Sequence, residues 1–245
     1  DSMLGADTNG YTETVVLSVS DGVSSANTSF GIFIVDDVPK ATDIVHSQQA
    51  IAGVNTNLLI TLDVSGSMGW DANFDNLTRL EVAKQSILEL FEQYEAQGNV
   101  RVKIITFSES GSILGTSWQT ISEAKTSLLS LSPQSATNYD DALIDTMTAY
   151  AQAGKLTGAQ NVAYFLSDGE PTLPSNSEGI NSTEEQSWTN FLNNNDIHAY
   201  ALGMGDVSNA SALNPIAYDG IGSGTNTNSQ IITDLSQLTS TLVTI

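Results

Sequence analysis

Two short apolar runs, each followed at once by an aspartate, constrain this chain more than any other feature of its sequence. Residues 58–63 read LLITLD, and residues 161–168 read NVAYFLSD. Runs of this length suit buried strands better than helices, and continuous apolar strands are typical of parallel sheets that are covered on both faces. Because ligands bind beyond the carboxyl ends of such strands, we expect Asp63 and Asp168 to lie at one edge of a sheet.

Segments with helical periodicity separate the apolar runs. This alternation predicts an α/β fold, with a doubly wound, mostly parallel six-stranded sheet that is flanked by helices and is Rossmann-like in its general plan. The predicted strands cover residues 58–63, 100–107, 112–118, 161–167, 197–202 and 230–233. The predicted helices cover residues 79–97, 122–131, 139–153, 183–193 and 235–243.

The first 40 residues differ in pattern from the rest of the chain. Residues 12–20 and 27–35 alternate polar and apolar side chains, which predicts two half-buried strands. Two strands alone bury too little surface for independent stability. We therefore interpret residues 1–40 as a partial β domain, residues 41–57 as a linker, and residues 58–245 as the α/β domain.

The composition excludes several classes of partner. The 245 residues include 28 Asp plus Glu but only 7 Lys plus Arg, a formal charge of −21, and no cysteine. So few cations cannot neutralise phosphates, which argues against nucleic-acid binding. No apolar run reaches the ~20 residues that a membrane-spanning helix needs, so we predict no direct membrane insertion. An acidic chain without thiolates attracts hard divalent cations.

Oxygen-bearing side chains follow both apolar runs. Asp63, Ser65 and Ser67 form a D-x-S-x-S pattern after the first run, and Asp168 follows the second. Thr137 precedes a predicted helix and can present its hydroxyl from the connecting loop. Such hard oxygen ligands suit Mg²⁺, Ca²⁺ or Mn²⁺. Each element also has a purely structural interpretation as a turn or a helix cap.

The three segments DVSGSM, TNYDDAL and LSDGEPT together resemble the von Willebrand factor A domain with its metal-ion-dependent adhesion site. The resemblance covers the α/β part of the chain and implies that fold. It implies that Ser65, Ser67 and Thr137 coordinate one Mg²⁺ or Ca²⁺ directly or move in and out of its shell. Asp63 and Asp168 would act mostly through bound waters. In this family a carboxylate of the partner often completes the shell.

Two further groups of residues are candidates for additional Ca²⁺. Asp71, Asn73 and Asp75 have the i, i+2, i+4 spacing of calcium loops, but the glycine and distal glutamate of an EF-hand are absent. A solvated loop is the alternative interpretation. Asp36 and Asp37 precede a proline at the expected domain junction, where bound Ca²⁺ would stiffen the connection.

Residues close to the three motifs are candidates for the rim of the ligand site. They are Trp70, Asn138 and Glu170, and the last of these begins a long polar segment, residues 170–181. Loops of this kind carry specificity in many proteins. We expect this rim to select the partner.

The flanking segments suggest where such a module works. VSDGV (residues 19–23) and VDDVP (residues 35–39) resemble the end of Ig-like or cadherin-like extender modules in repeats-in-toxin (RTX) adhesins of Gram-negative bacteria. The resemblance implies an extracellular, cation-dependent adhesion module on the bacterial surface, with a protein or matrix partner, in a host or a biofilm, that carries a carboxylate. The alternatives are an intracellular scaffold subunit of an ATP-driven chelatase-like complex and a structural spacer without a ligand.

The same residues argue against an enzyme. Neither Ser65 nor Ser67 lies in a G-x-S-x-G nucleophile motif. Ser65 also occupies the position where an aspartate-nucleophile phosphatase would need a second acid. His198 lies within an apolar predicted strand, where a core role suits it better than catalysis. We predict a binding protein without catalytic residues.

Overall fold

The chain divides into two compact units, residues 1–49 and residues 50–245. A computed structural model describes residues 11–34, 53–174, 179–205, 210–222 and 224–244. Asp36 and Asp37, the candidates for calcium at the domain junction, lie outside these described residues. Among the described residues, no helix is both long enough and apolar enough to cross a membrane.

The first unit contains an antiparallel hairpin of strands β1 (Tyr11–Ser20) and β2 (Ser25–Ile34). Its turn is closed locally, because the Asp21 carboxylate accepts hydrogen bonds from the backbone N–H groups of Val23 and Ser24 at 2.9 and 2.7 Å. These bonds hold the pKa of Asp21 below its usual value. Gly22 has a φ of +87°, a conformation that favours glycine. Both predicted strands are present, and the Ig-like or cadherin-like assignment stays a prediction.

One face of this hairpin is apolar and exposed. The register pairs Val15 with Phe30 and Glu13 with Ile32, so these side chains share a face. Leu17 and Val19 continue the same face, and Val19 is 72% exposed. The hairpin therefore buries little apolar surface through its own contacts.

The second unit alternates strands and helices along the chain, as the sequence predicts. Its strands are β3 (Thr56–Asp63), β4 (Val100–Phe107), β5 (Gly111–Ile113), β6 (Gln160–Ser167), β7 (Ile197–Met204), β8 (Tyr218–Asp219), β9 (Thr225–Asn226) and β10 (Gln230–Ile232). Its helices are α1 (Arg79–Gln97), α2 (Ile121–Leu129), α3 (Tyr139–Tyr150), α4 (Ser182–Asn194) and α5 (Leu238–Leu242).

These strands form one mixed sheet in the order β5-β4-β3-β6-β7-β8-β9, and β10 also pairs with β7. The four central strands β4, β3, β6 and β7 are parallel, which confirms the doubly wound α/β fold. The described sheet has eight strands rather than the predicted six. The two additional strands, β8 and β9, have only two residues each, which is too short to produce a periodic pattern.

The position of strand β3 between two cores explains why its sequence is continuously apolar. Leu58, Ile60 and Leu62 point into a core that also contains residues of α1, α2 and α5. Leu59 points into a second core on the opposite face, together with residues of α3 and α4. Both faces of the strand are buried, so neither face needs polar side chains.

Helix starts are set by local capping. Helices α1, α2 and α4 each begin with a reciprocal capping box, in which an N-cap side chain and a glutamate three residues later bond each other's backbone. The pairs are Thr78 with Glu81, Thr120 with Glu123, and Asn181 with Glu184. For these three helices the predicted and observed starts agree within one residue, whereas α5 starts at Leu238 rather than at the predicted residue 235.

The predicted edge strand over residues 112–118 was wrong in its length. Only Gly111–Ile113 is a strand. Beyond it, the buried Lys103 ammonium donates hydrogen bonds to the carbonyls of Leu114, Gly115 and Ser117 at 2.8, 2.8 and 3.2 Å. Past Ile113 the backbone bonds to β4 that continue are isolated ones, from Leu114 N–H to the Ile104 carbonyl and between Val102 and Gln119, so the regular strand ends there.

Candidate metal site

The sheet brings the two aspartates to the same edge. Strands β3 and β6 are parallel neighbours, and Leu62 pairs with Leu166. Asp63 therefore ends β3 opposite Ser167, and Asp168 follows β6 directly. Both aspartates are buried, with 0% and 3% of their surface exposed.

Hydroxyl groups of the D-x-S-x-S segment connect the two strand ends. The Ser67 hydroxyl donates to Asp168 Oδ1 at 2.8 Å and lies 3.2 Å from the Ser65 hydroxyl. The Ser65 backbone N–H donates to Asp63 Oδ1 at 2.7 Å. These bonds turn the oxygens of this segment toward Asp168.

Gly66 allows the D-x-S-x-S segment to lie against a second loop. Its N–H donates to the Ser135 carbonyl at 2.7 Å. A Cβ at this position would lie 3.2 Å from the Gln134 carbonyl oxygen. Gly66 is not among the glycines with positive φ, so the close approach of the second loop explains the glycine.

The second loop carries Thr137, which is 5% exposed. Its backbone is fixed to the segment after Asp168, because Thr137 N–H donates to Thr172 Oγ1 at 3.0 Å and Thr172 N–H donates to the Thr137 carbonyl at 2.8 Å. Thr137, Ser65, Ser67 and Asp168 all line one open depression of about 530 Å³. Four of the five predicted metal residues thus meet at one surface.

Asp63 is the fifth residue, and it is completely buried without lining the depression. Burial raises the pKa of Asp63 to about 7, against the lowering effect of hydrogen bonds from Ser167 and Ser65. The negative charge of Asp168 raises it further. A cation in the depression would favour the charged form of both carboxylates.

Arg79 is a site residue that the sequence analysis missed. Its guanidinium donates to Asp168 Oδ2 at 2.9 Å, and both side chains are nearly inaccessible. The same guanidinium lies 5.5 Å from the centre of the Trp70 ring. A cation in the first turn of a helix opposes the helix dipole, and that unfavourable position is the signal that could have indicated a buried partner.

Three further polar residues support the strand ends. The Ser167 hydroxyl donates to Asp63 Oδ2 at 2.6 Å, and the Tyr139 hydroxyl donates to the Gly169 carbonyl at 2.7 Å. Burial raises the pKa of Tyr139, so it stays a neutral donor. Thr172 fixes the Thr137 loop, as described above. Ser167 directly precedes Asp168 in sequence, which is the one local signal for this group.

The donor set fits a hard divalent cation. It consists of two carboxylates and three hydroxyls, without imidazole or thiolate. In the part of the chain that the structure describes, no three His, Cys, Asp or Glu side chains are grouped to hold a metal. An ion here would therefore depend on the neutral hydroxyls and on water for most of its ligands.

The three residues proposed for a second calcium site close their own loop. Asp71 Oδ1 accepts a hydrogen bond from Asn73 N–H at 2.7 Å. Asn73 and Asp75 have φ values of +54° and +50°, and all three side chains are exposed. This geometry matches the alternative of a solvated loop, and calcium binding there stays a prediction.

The candidate rim residues occupy different positions. Trp70, which is 63% exposed, and Glu170 both line the depression. Asn138 caps helix α3 by accepting from Asp141 N–H, and its Nδ2 donates to the Glu109 carbonyl at 3.2 Å. It does not line the depression. Only two of the three candidates therefore border the site directly.

Comparison with known proteins bears on the fold of the second unit. Residues 58–170 match the model of the von Willebrand factor type A domain family, and that range contains all five candidate metal residues. No curated protein sequence matches the chain.

Solved structures share the fold at low sequence identity. Proximal thread matrix protein 1 from the mussel byssus has a TM-score of 0.58 and 15% identity, over 78% of this chain and 47% of its own. A further structure of it, described as having a zinc-occupied MIDAS motif, has a TM-score of 0.58 and 14% identity, over 78% and 45%. This chain thus spans about half the length of the mussel protein.

Two bacterial proteins show the same likeness. The minor pilin PilB from Streptococcus sanguinis has a TM-score of 0.56 and 14% identity, over 96% of this chain and 75% of its own. The vWF domain of the type V pili tip protein Mfa5 from Porphyromonas gingivalis has a TM-score of 0.58 and 12% identity, over 78% and 93%. The second unit therefore has a von Willebrand factor A-like fold.

Proposed function

We propose that the α/β unit is an adhesion module that binds its partner through one divalent cation. The five side chains that would hold the cation are Asp63, Ser65, Ser67, Thr137 and Asp168. The partner would be a protein or matrix component that offers a carboxylate to the open side of the ion. In this proposal the unit has no catalytic role.

The single observation that carries the proposal is the contact between Ser67 Oγ and Asp168 Oδ1 at 2.8 Å. These residues are 101 positions apart, and neither bond partner is needed to cap a helix of the unit. A cation site requires several oxygen atoms close together at an accessible surface. Ser67 and Asp168 come from distant segments and line one open depression.

The donors suggest a division of roles. Ser65, Ser67 and Thr137 line the depression, so their neutral hydroxyls would contact the ion directly. Asp63 is completely buried and would act through water or through the orientation of Ser65. An ion that is bound largely by neutral ligands keeps enough positive charge to attract an acidic group of the partner.

The setting of the module is part of the proposal. The charge of −21 and the absence of cysteine are compatible with a calcium-rich exterior, and the similar structures are named as pilus and byssus proteins. The flanking segments VSDGV and VDDVP support an RTX adhesin on the surface of a Gram-negative bacterium, acting in biofilm or host attachment.

Titration calorimetry of the full chain with MgCl₂, CaCl₂ and MnCl₂ tests the cation site. We expect one ion per chain at this site, and we expect Ser67→Ala and Asp63→Asn to weaken its binding at least about tenfold through loss of a ligand or of charge. Glu89→Gln is the matched control, because it removes an exposed carboxylate of helix α1 that belongs to no candidate cation site. Equal affinity in Ser67→Ala, Asp63→Asn and the wild type would reject the site.

Retention on beads tests the binding role. We expect the chain to be retained on carboxylate-coated beads with Mg²⁺ or Mn²⁺ present, and to be released by EDTA. Carboxamide-coated beads are the control for nonspecific retention. A cation bound without retention on carboxylate would favour the scaffold of a chelatase-like complex. Absence of cation binding would favour a structural spacer.

A further inference from the structure

An apolar groove lies between helices α3 and α4, outside the metal site. Leu143, Met147 and Ile180 are buried or partly buried along it, and Ile144 is 53% exposed at its side. The groove encloses about 220 Å³, enough for an aliphatic side chain. Its polar lining residues, which we call the polar rim, are Asp140, Thr183, Glu184 and Ser187.

The polar rim of this groove is acidic. Asp140 and Glu184 both line the groove. Glu184 is held in place, because its Oε2 accepts a hydrogen bond from the Asn181 N–H at 2.7 Å within the α4 capping box. Two carboxylates thus border one apolar surface, and no basic residue lines it.

Asp140 is incompletely satisfied in the described structure. Its Oδ1 is shielded from solvent and has no hydrogen-bond partner among the described residues. Burial, followed by the charges of Glu184 and Asp141, raises the pKa of Asp140. Asp140 as a residue is partly exposed, and a carboxylate only accepts hydrogen bonds. A cationic donor that reaches the exposed part of this carboxylate from the groove would offset the negative charges around it.

We propose that this groove docks a segment of a partner protein that presents an apolar side chain next to a lysine or arginine. The apolar side chain would occupy the space beside Ile144 and Met147. The ammonium or guanidinium group would donate to Asp140 at the rim. Neither contact uses the cation of the metal site, so docking here is independent of the function proposed above.

The position of the groove gives the docking a consequence for adhesion. Asp140 lies in the first turn of α3, three residues after Thr137 of the metal site. One partner could therefore place an acidic group on the cation and a basic, apolar segment in the groove. Two linked contacts of this kind increase the overall affinity through effective concentration.

Methyl NMR of the full chain, with EDTA present to remove cations, tests the docking. The probe is the blocked tetrapeptide Ac-Lys-Leu-Leu-Lys-NH₂, and the comparison peptides replace both lysines by glutamate or both leucines by serine. We expect the first peptide alone to shift the methyl signals of Ile144, Met147 and Ile180.

Two variants separate the apolar contact from the charge. Asp140→Asn keeps the shape of the side chain, and we expect it to weaken binding of the lysine–leucine peptide about tenfold by removing a charge-assisted hydrogen bond. Ile144→Ser should weaken it by a similar factor. Ile221→Ser is the matched control, since Ile221 is 54% exposed and Ile144 is 53% exposed, and Ile221 lies outside the groove.

Several results would overturn the docking proposal. They are equal methyl shifts with the glutamate or serine peptide, shifts confined to methyl groups outside the groove, and an unchanged affinity in Asp140→Asn or Ile144→Ser. Loss of cation binding in Ser67→Ala would leave these measurements unaffected, so the two proposals can fail separately.

Discussion

The hairpin and the candidate metal site are built from opposite kinds of contact. In the hairpin turn, the side-chain hydrogen bonds join residues two to four positions apart. At the metal site, Ser67 bonds Asp168 and Ser167 bonds Asp63, over separations of 101 and 104 residues. The hairpin is therefore specified by local sequence, whereas the site exists only when the sheet has formed.

The hairpin and the candidate metal site also differ in how far their side chains are buried. Val19 and Phe30 of the hairpin are 72% and 50% exposed, whereas Asp63 and Ser65 at the site are 0% and 1% exposed. Polar groups that are buried and paired depend strongly on their surroundings. We therefore expect substitutions near the site to act through global stability, and substitutions in the hairpin to act locally.

The largest expected difference comes from a matched pair of phenylalanines. Phe165 is 3% exposed and stacks on Phe107 at 4.9 Å, so Phe165→Ala should destabilise the α/β unit by about 3–5 kcal/mol. Phe30→Ala should change the free energy of unfolding of the α/β unit by less than about 0.5 kcal/mol. Urea unfolding followed by tryptophan fluorescence measures this, because all three tryptophans lie in the α/β unit. Similar losses in both variants would contradict the comparison.

A pH dependence is expected at the site. Because the pKa of Asp63 is raised from 3.8 to about 7 on folding, the folded chain holds a proton there that the unfolded chain releases. Stability without cations should therefore fall as the pH rises through this window, by on the order of 4 kcal/mol.

The control for this pH effect is Asp63→Asn. In EDTA, urea unfolding at several pH values should show a smaller fall in this variant than in the wild type. Added Mg²⁺ above pH 7 should restore the stability of the wild type. Parallel pH profiles of the two proteins would show that the raised pKa of Asp63 is not the cause.

Removal of the buried guanidinium of Arg79 should lower the stability of the α/β unit by slightly less than this pH change does. Arg79→Gln leaves Asp168 buried without this guanidinium, which should cost about 3 kcal/mol in EDTA and less with saturating Mg²⁺. Cation binding should become tighter, because a positive charge beside the ion is lost.

Arg101→Gln is the control for this prediction, since Arg101 donates to the backbone carbonyl of Val100 and the carboxylate that its charge affects, Glu123, belongs to helix α2 rather than to the site. Urea unfolding with and without Mg²⁺, together with calorimetry, measures both effects. A loss of stability in Arg79→Gln that is equal with and without Mg²⁺ would rule out compensation by the ion.

The smallest expected effects come from two glycines. Gly22 in the hairpin and Gly158 in the α/β unit have φ values of +87° and +71°, and an added Cβ would meet no atom within 4 Å. Alanine at either position should lower the free energy of unfolding by about 1 kcal/mol, because a residue with a Cβ disfavours a positive φ.

The two alanine variants should be detected by different measurements. Gly22→Ala should accelerate amide exchange in β1 and β2 only, and Gly158→Ala should lower only the stability measured by tryptophan fluorescence. A change in both measurements from one variant would mean that the units are not energetically separate.

Local patterns were sufficient to predict most of the fold. The apolar run of β3 indicated a strand that is covered on both faces, and helical periodicity indicated the helices. The caps observed at Thr78 and Thr120 are equally local, because capping depends on neighbours three residues away. The two-residue strands β8 and β9 were missed, since pairing so short depends on where β7 lies rather than on periodicity.

The sequence was sufficient to predict the oxygen-bearing residues of the candidate site. It was not sufficient to predict the basic residues that pair with buried groups. Asp63 and Asp168 follow apolar runs and are visible in the sequence. The pair of Arg79 with Asp168 joins positions 89 residues apart, and the bonds of Lys103 depend on how the loop after β5 turns. The position of Arg79 in a first helical turn signals a buried partner, but which residue is the partner follows from which strands are neighbours.

The edge strands of the two sheets differ in how much unpaired backbone they offer to another molecule. The α/β sheet ends in β5 and β9, with three and two residues, and the outer side of β7 is shared by β8 and β10. Such short edges give another molecule little backbone to pair with. Strands β1 and β2 have ten residues each and no further strand beside them among the described residues. If copies of this chain aggregate by strand addition, the hairpin is where growth should start.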